Sequence, residues 1–414
     1  MPRSATDFAS WAMRNRSRLP GILRRLPEIV EQNPQGALSR LAYRLMGGDA
    51  QAPAPTHAES GSPRVLIGPT NHAGQGTHWS RALRSAYPSM DARSLAVVVP
   101  GGPSFPADTR VPFPIYHHSR TWQQDECDAV VREFDHALVE SMRPLFGSLL
   151  PDTTAERGFL QSQGISVALM FHGTDVRSPR THVAQHRWSP YADDLARTDR
   201  LQRIADENRA LADSAGVPVF VSTPDLLDDL PQATWCPVVV DGPAWGGGPP
   251  PMTARRRPIV VHIPSSAAVK GTALIEPTLQ RMHNRGMLEY RRLEGIPSAD
   301  MPAAVGTADI VLDQFRIGSY GVAACEAMAA GRIVVSHVST AVREHVASVT
   351  GMSLPIMEAD AESLEDVLTA VIDDPEPALH TSAGGAAFVA SVHSGDRSAR
   401  VLHDGWLRDS DGAT

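Results

Sequence analysis

The sequence predicts an α/β protein made of two Rossmann-like, doubly wound parallel sheets, and three observations predict it. The chain has 414 residues, whereas a single hydrophobic core rarely grows beyond roughly 250–300 residues. Short segments rich in Val, Ile and Leu alternate with longer segments of helical period, as strands do when helices cover both faces of their sheet. A Gly- and Pro-rich break, DGPAWGGGPPPMTARRR (241–257), separates two such runs.

In the first run, RVLIGPT (64–70) reads as a strand, 75–86 as a helix, SLAVVVP (94–100) as a strand and 122–145 as one long helix. ISVALMFHG (165–173) is an apolar strand that ends in a polar loop, and 193–214 is a helix. VPVFVST (217–223) and PVVVD (237–241) read as further strands. In the second run, PIVVHIP (258–264), LEYRRLEG (288–295), DIVLDQF (309–315), RIVVSHV (332–338) and SLPIMEA (353–359) read as strands. Helices are expected between and after them at 271–285, 299–307, 320–330, 341–349 and 361–373, which makes a second doubly wound sheet. The tail 388–407 carries apolar residues at helical spacing and reads as a last helix packed on the first domain. The expected divisions are an extension and linker over 1–62, domains over 63–245 and 255–380, and a C-terminal helix within 381–414.

Composition narrows the class. A net charge of −8 gives no global field for a nucleic-acid partner. Cys127, Cys236 and Cys325 are far apart and form no CxxC pair, which argues against a disulfide framework or a zinc-thiolate site. No run of about 18 apolar residues is present. Neither an apolar leader nor a small-residue cleavage site is apparent, so a cytoplasmic protein is expected. Residues 1–50 are basic, with Arg3, Arg14, Arg16, Arg18, Arg24, Arg25, Arg40 and Arg44 against Asp7, Glu28, Glu31 and Asp49. Leu19, Ile22, Leu23, Leu26, Ile29 and Val30 give that segment an amphipathic helical pattern. Such a helix either packs on the body or touches anionic lipid at the inner face of the plasma membrane. Residues 51–63 (QAPAPTHAESGSP) read as a linker.

Open parallel sheets bind ligands outside the carboxyl ends of their strands, so the chemistry is sought in the loops there. SSAAVKGT (265–272) follows PIVVHIP and places Lys270 and Gly271 at a helix start, where a lysine and main-chain amides suit phosphate oxygens. The alternative is an ordinary solvated lysine. IGSYGVAACEAMAAG (317–331) follows DIVLDQF. There Gly318 and Gly321 allow close approach, Ser319 can cap, and the amides of Ser319, Tyr320 and Gly321 form a seat for a pyrophosphate. Glu326 lies further along that helix among small apolar residues, where a carboxylate needs a partner such as sugar hydroxyls or a surface ion pair.

The run ADIVLDQFRIGSYGVAACEAMAAGRIVV (308–335), preceded by HIPSSAAVKGT (262–272), resembles the donor-binding region of the retaining transferases of GT-B fold often called the family 4 glycosyltransferases, in a polysaccharide-type branch. The family pattern is a glutamate, seven residues, then a second glutamate followed by Ala-Met and a glycine. Glu326, Ala327, Met328 and Gly331 reproduce its second half, but Gly318 stands at the first glutamate and Ser265 stands where an arginine is usual. The resemblance covers about 260–360 well and the first domain in outline. It implies two domains facing across a cleft, the first binding the acceptor and the second the nucleotide-diphospho-sugar. It further implies that Lys270 neutralises the diphosphate leaving group and that Glu326 hydrogen-bonds the donor ribose. The sugar contact of the missing glutamate then falls to Asp313, to Gln314 or to main chain near Gly318.

In the first domain, GPTNHAGQGTHWSRAL (68–83) is a Gly-rich loop whose G-x-G at Gly74 and Gly76 is followed by Trp79, a partial dinucleotide fingerprint. By resemblance, Gly74, Gln75 and Gly76 line the sugar and acceptor cleft. His172 and Asp175 in FHGTDVR (171–177) stand where such transferases place a catalytic histidine, or else cap their own loop. Ser222, Thr223 and Asp225 are weaker candidates for the cleft wall. The remaining histidines, including His117 and His118, show no metal-ligand spacing.

The implied activity is transfer of a hexosyl or related sugar, with retention of configuration, to a bacterial surface glycan or glycolipid precursor. No metal or other cofactor is expected, because lysine and helix dipole serve the diphosphate. The alternatives are a degenerate, non-catalytic binding or assembly subunit of the same fold, a nucleotide-sugar epimerase, and an NAD oxidoreductase. The last is disfavoured by the missing third glycine and the missing acidic residue at a following strand end.

Overall fold

The structure is a computed structural model that describes residues 51–99, 105–253 and 257–408. The basic segment 1–50, with its expected amphipathic helix, lies outside the described residues. Segment 51–63 has no regular structure but is held by the body: the Thr56 amide donates to Glu126 Oε2 at 2.7 Å, and the Ala58 amide donates to Glu133 Oε2 at 3.2 Å.

The strands form two sheets. The first contains β1 (Arg64–Gly68), β2 (Asp91–Val98), β3 (Thr109–Pro112), β4 (His136–Glu140), β5 (Ser166–Phe171), β6 (Val219–Val221) and β7 (Thr234–Trp235). Their order across the sheet is β3-β2-β1-β4-β5-β6-β7. The second contains β8 (Ile259–His262), β9 (Glu289–Arg292), β10 (Ile310–Leu312), β11 (Ile333–Ser336) and β12 (Met357–Glu358), in the order β12-β11-β10-β8-β9. Central strands pair in parallel: Leu66 stands opposite Arg93 and Ala137, and Val311 opposite Val261 and Val334. The stretch 241–257 carries no strand among its described residues, and a single turn of helix, Gly242–Trp245, interrupts it.

By compactness the chain falls into two units, one of residues Met1–Met170, Gly216–Pro218 and Trp406–Thr414, the other of Phe171–Ala215 and Val219–Gly405. In the first unit, Trp406 Nε1 donates to Ser166 Oγ at 2.9 Å, and the indole meets the His136 ring edge-on at 5.3 Å. In the second, the core beneath the five-stranded sheet joins Val260, Ile310, Leu312, Ile333 and Val335 to Ile275, Leu279, Leu364 and Leu368 of the covering helices. Burial of these side chains, worth roughly 1.5–3 kcal/mol each, makes the strands nearly continuous apolar runs.

Several expected elements differ. The stretch 122–145 is not one helix: Arg120–Glu133 is helical, the Phe134 amide closes it on Val130 O at 3.0 Å, and β4 follows. The five residues of β4 are all buried, and a short apolar run of that kind has no period that distinguishes helix from strand. PVVVD (237–241) is not a strand. Pro237 lacks the amide a ladder needs, and its neighbours bond to His393 instead, through Val240 N to His393 O at 2.8 Å and His393 Nδ1 to Val238 O at 2.7 Å. The edge strand β3 was not expected. The tail is not one helix but Gly385–Val392 and Asp396–Leu402, broken at Gly395, whose φ of +109° is left-handed.

Candidate functional site

Both sheets have a topological switch point, where successive connections leave in opposite directions and open a crevice at the carboxyl ends of two adjacent strands. In the second sheet these strands are β8 and β10. The loop after β8 runs to Lys270 and the loop after β10 runs from Asp313 to Gly321, so most of the expected donor residues meet at this one place.

Lys270 is the last residue of the one-turn helix Ala267–Lys270, not the first of the next, and Gly271 turns the chain with φ +79° into the helix Thr272–Asn284. The turn is fixed because Lys270 O accepts the Phe315 amide at 3.1 Å. Lys270 Nζ forms an ion pair with Asp313 Oδ1, and the partner oxygen Oδ2 is buried with no hydrogen bond among the described residues. Glu326 stands near this pair. Burial raises its carboxyl to about 8, the Lys270 charge pulling it down and Asp313 pushing it up. Beneath them, His262 at the end of β8 is fully buried, with Nδ1 3.0 Å from Leu312 O and Nε2 2.9 Å from Thr272 Oγ1. Burial lowers its pKa to about 4, so the ring is neutral and ties β8, β10 and the following helix together.

The glycine loop departs from expectation in detail. The helix begins at Val322, and its N-cap is Gly321 without a side-chain cap bond, so Ser319 does not cap it. Ser319 turns inward, its hydroxyl buried with no hydrogen bond among the described residues, while the buried Arg177 guanidinium holds Asp225 below its ordinary pKa against the effect of burial. Tyr320 is 2% exposed, and its hydroxyl lies 3.3 Å from His393 Nε2. Its side chain therefore belongs to the core, and only its main chain can serve a ligand. Gln314 Nε2 donates to Ser319 O, while the Gln314 carbonyl accepts the His337 amide at 2.8 Å. Asp313 and Gln314, the two expected substitutes for the missing glutamate, are thus engaged with protein groups. Gly318 has φ +74°, and Ser265 is exposed in the loop after β8.

His172 and Asp175 share the loop after β5. The Asp175 carboxylate accepts the amides of His172 at 2.9 Å and Gly173 at 2.6 Å, which makes it a brace for the loop. His172 Nδ1 lies 3.3 Å from Ser222 Oγ.

In the first sheet the switch point lies between β1 and β4. The Gly-rich loop is there, but its first amides face protein: Thr70 N and Asn71 N donate to Glu140 Oε2 at 3.0 and 2.7 Å. Glu140 is fully buried. Gly74 has φ +79°, and a Cβ on Gly76 would lie 3.3 Å from Asn71 Oδ1, so Gly74, Gln75 and Gly76 pack closely at the start of the helix Gln75–Ala86.

Sequence reasoning missed Arg316. It is 8% exposed and donates to Trp188 O at 2.7 Å, Ser189 O at 2.9 Å, Ala268 O at 3.1 Å and Asp193 Oδ1 at 2.9 Å. One guanidinium therefore binds both switch-point loops to the segment 188–193. An arginine directly after DIVLDQF was the available signal, but its acceptors are mostly main-chain carbonyls, which leave no mark in sequence. Among the described residues no cluster of side chains suited to a metal ion is present, and no helix is long and apolar enough to cross a membrane.

Neither a protein-family profile nor a curated protein sequence matches the chain. Solved structures do. Sucrose-phosphate synthase from Thermosynechococcus elongatus superposes with a TM-score of 0.54 at 13% identity, over 85% of this chain and 100% of that one. A glycosyltransferase from Rickettsia africae superposes with a TM-score of 0.50 at 10% identity, over 83% of this chain and 97% of that one. The class of protein defined by these likenesses and by the two sheets is that of the GT-B fold.

Proposed function

We propose that this chain is a glycosyltransferase that moves a hexosyl or related sugar from a nucleotide-diphospho-sugar to a glycan or glycolipid acceptor. The observation that carries the reading is the convergence of Lys270, Asp313 and Glu326 at the β8/β10 switch point, one cation and two carboxyl groups beside a glycine loop. In the reaction the bond from the anomeric carbon to the diphosphate oxygen breaks while an acceptor oxygen bonds to that carbon, and the proton of the acceptor hydroxyl passes to the departing diphosphate. Charge accumulates on the departing diphosphate, so a preorganised cation lowers the barrier. Lys270 supplies it by exchanging Asp313 for phosphate oxygens, together with main-chain amides of 319–321. Glu326, protonated over much of the neutral range, offers both a donor and an acceptor to the ribose hydroxyls. On this reading no metal is required, and His172 serves the donor sugar from the loop that Asp175 braces. Gly74, Gln75 and Gly76 belong to the acceptor side.

Retention of configuration, a bacterial surface glycan precursor as acceptor, and cytoplasmic work with residues 1–50 resting on anionic lipid complete the proposal. The non-catalytic alternative is disfavoured by the preserved Lys270 and Glu326. The test is thermal stabilisation and slow hydrolysis with UDP-, GDP- and dTDP-sugars, in the presence and absence of EDTA. Stabilisation by one of them that is lost in Lys270→Ala supports the reading, and no response to any overturns it. Co-sedimentation with anionic vesicles that falls with salt tests the membrane contact.

A further inference from the structure

The loop after β10 has no room for a side chain at position 318. Besides its left-handed φ, Gly318 is closed in by an imidazole: a Cβ there would lie 2.8 Å from Cε1 and 3.1 Å from Nδ1 of His186. The ring reaches the loop from a segment far away in the chain, and that segment is built to hold it. The helix Pro179–Gln185 ends at His186, whose amide donates to His182 O at 2.9 Å. His182 in turn places Nε2 3.2 Å from Ile317 O and Nδ1 2.8 Å from Ser189 Oγ, while Arg316 grips Trp188, Ser189 and Asp193. The His186 ring stacks on His182 at 4.2 Å and meets His337 edge-on at 6.4 Å.

An imidazole fixed on both sides has no hydrogen bond to its ring nitrogens among the described residues and is only partly buried. The groups around it favour the neutral ring: burial, His337 and Arg177 lower its pKa, outweighing Asp225 and Asp228. A neutral imidazole donates one hydrogen bond and accepts one, which matches a hydroxyl and makes a poor counter-ion for phosphate.

Building on the donor reading above, we propose that His186 fills the place a side chain at 318 would take and hydrogen-bonds a hydroxyl of the donor's sugar, so that it selects the sugar and not the nucleotide. The experiment is calorimetric titration of the full chain with UDP, GDP and dTDP and with their glucose conjugates. His186→Ala weakens the conjugate about five- to tenfold, the size of one uncharged hydrogen bond, and the bare diphosphate by no more than about twofold. Gly318→Ala, whose Cβ displaces the ring, gives the same split, and His186→Asn recovers part of the loss. Equal losses for conjugate and diphosphate, or none for either, overturn this inference alone. A wild-type chain that binds neither diphosphate nor conjugate overturns the donor reading, and the inference with it.

Discussion

Lys270 and Asp313 face each other across the switch point of the five-stranded sheet, one at the end of the loop after β8 and the other directly after β10, and their charges meet in an ion pair. The lysine side chain is 14% exposed and the aspartate 1%, so the pair is largely out of water. Removing one partner from such a pair strands the other, whereas removing both is far less harmful. Lys270→Ala is therefore expected to lose about 3–5 kcal/mol. Lys270→Ala/Asp313→Ala should recover most of that loss, as measured by urea denaturation in a double-mutant cycle. Additive losses would mean that the two charges do not sense each other.

Glu326 makes stability depend on pH in the neutral range. Its folded pKa, about 8, lies above the ordinary 4.5 because of burial. For a carboxyl raised in this way, the contribution to stability is complete below the unfolded value and is lost as pH rises through the folded one. Glu326→Gln should accordingly gain on the wild type between pH 5 and pH 9, by roughly 2–4 kcal/mol. A constant difference in urea midpoint over that range would contradict the assignment.

Buried histidines act on the acid side. His182, His262 and His393 are each lowered to about 4, burial being the main cause. A depressed imidazole contributes stability above its unfolded value of 6.5 and loses it as pH falls through the folded value. Between pH 7 and pH 5 each should remove roughly 1–2 kcal/mol, and His262→Asn should flatten the slope by one such share. Thermal midpoints across a pH series would measure it. Together with Glu326, these groups place maximum stability near neutrality.

Arg316 and Gly271 are coupled. A Cβ at Gly271 would lie 2.8 Å from Arg316 Cγ, and the backbone there has φ +79°. Gly271→Ala should lose about 1–3 kcal/mol from strain and displacement of the guanidinium. Arg316→Ala should lose about 2–4 kcal/mol by leaving carbonyls of Trp188, Ser189 and Ala268 unpaired. In the double variant the losses should sum to less than the parts, since the second change meets a clamp already broken.

Much of the second half was legible because its information is local. Strands β8, β10 and β11 are apolar runs between turn residues, and Lys270, Gly318 and Glu326 sit at loop and helix positions that their neighbours in sequence identify. Two of the misread elements depend on distant partners. Strand β4 looks like the continuation of a helix until β1 and β5 pair with it. PVVVD looks like a strand until His393 takes its main-chain bonds.

The sequence by itself determined the two alternations of strand and helix, the break between them and the loops that carry charge, because period, glycine and proline act over a few residues. Only the tertiary structure decided which groups those charges meet. It paired Lys270 with Asp313, turned Tyr320 into the core against His393, closed the Gly-rich loop on Glu140, and brought His186 to the empty position beside Gly318. Such pairings join residues distant along the chain and follow from sheet order, burial and close packing, none of which a local pattern records.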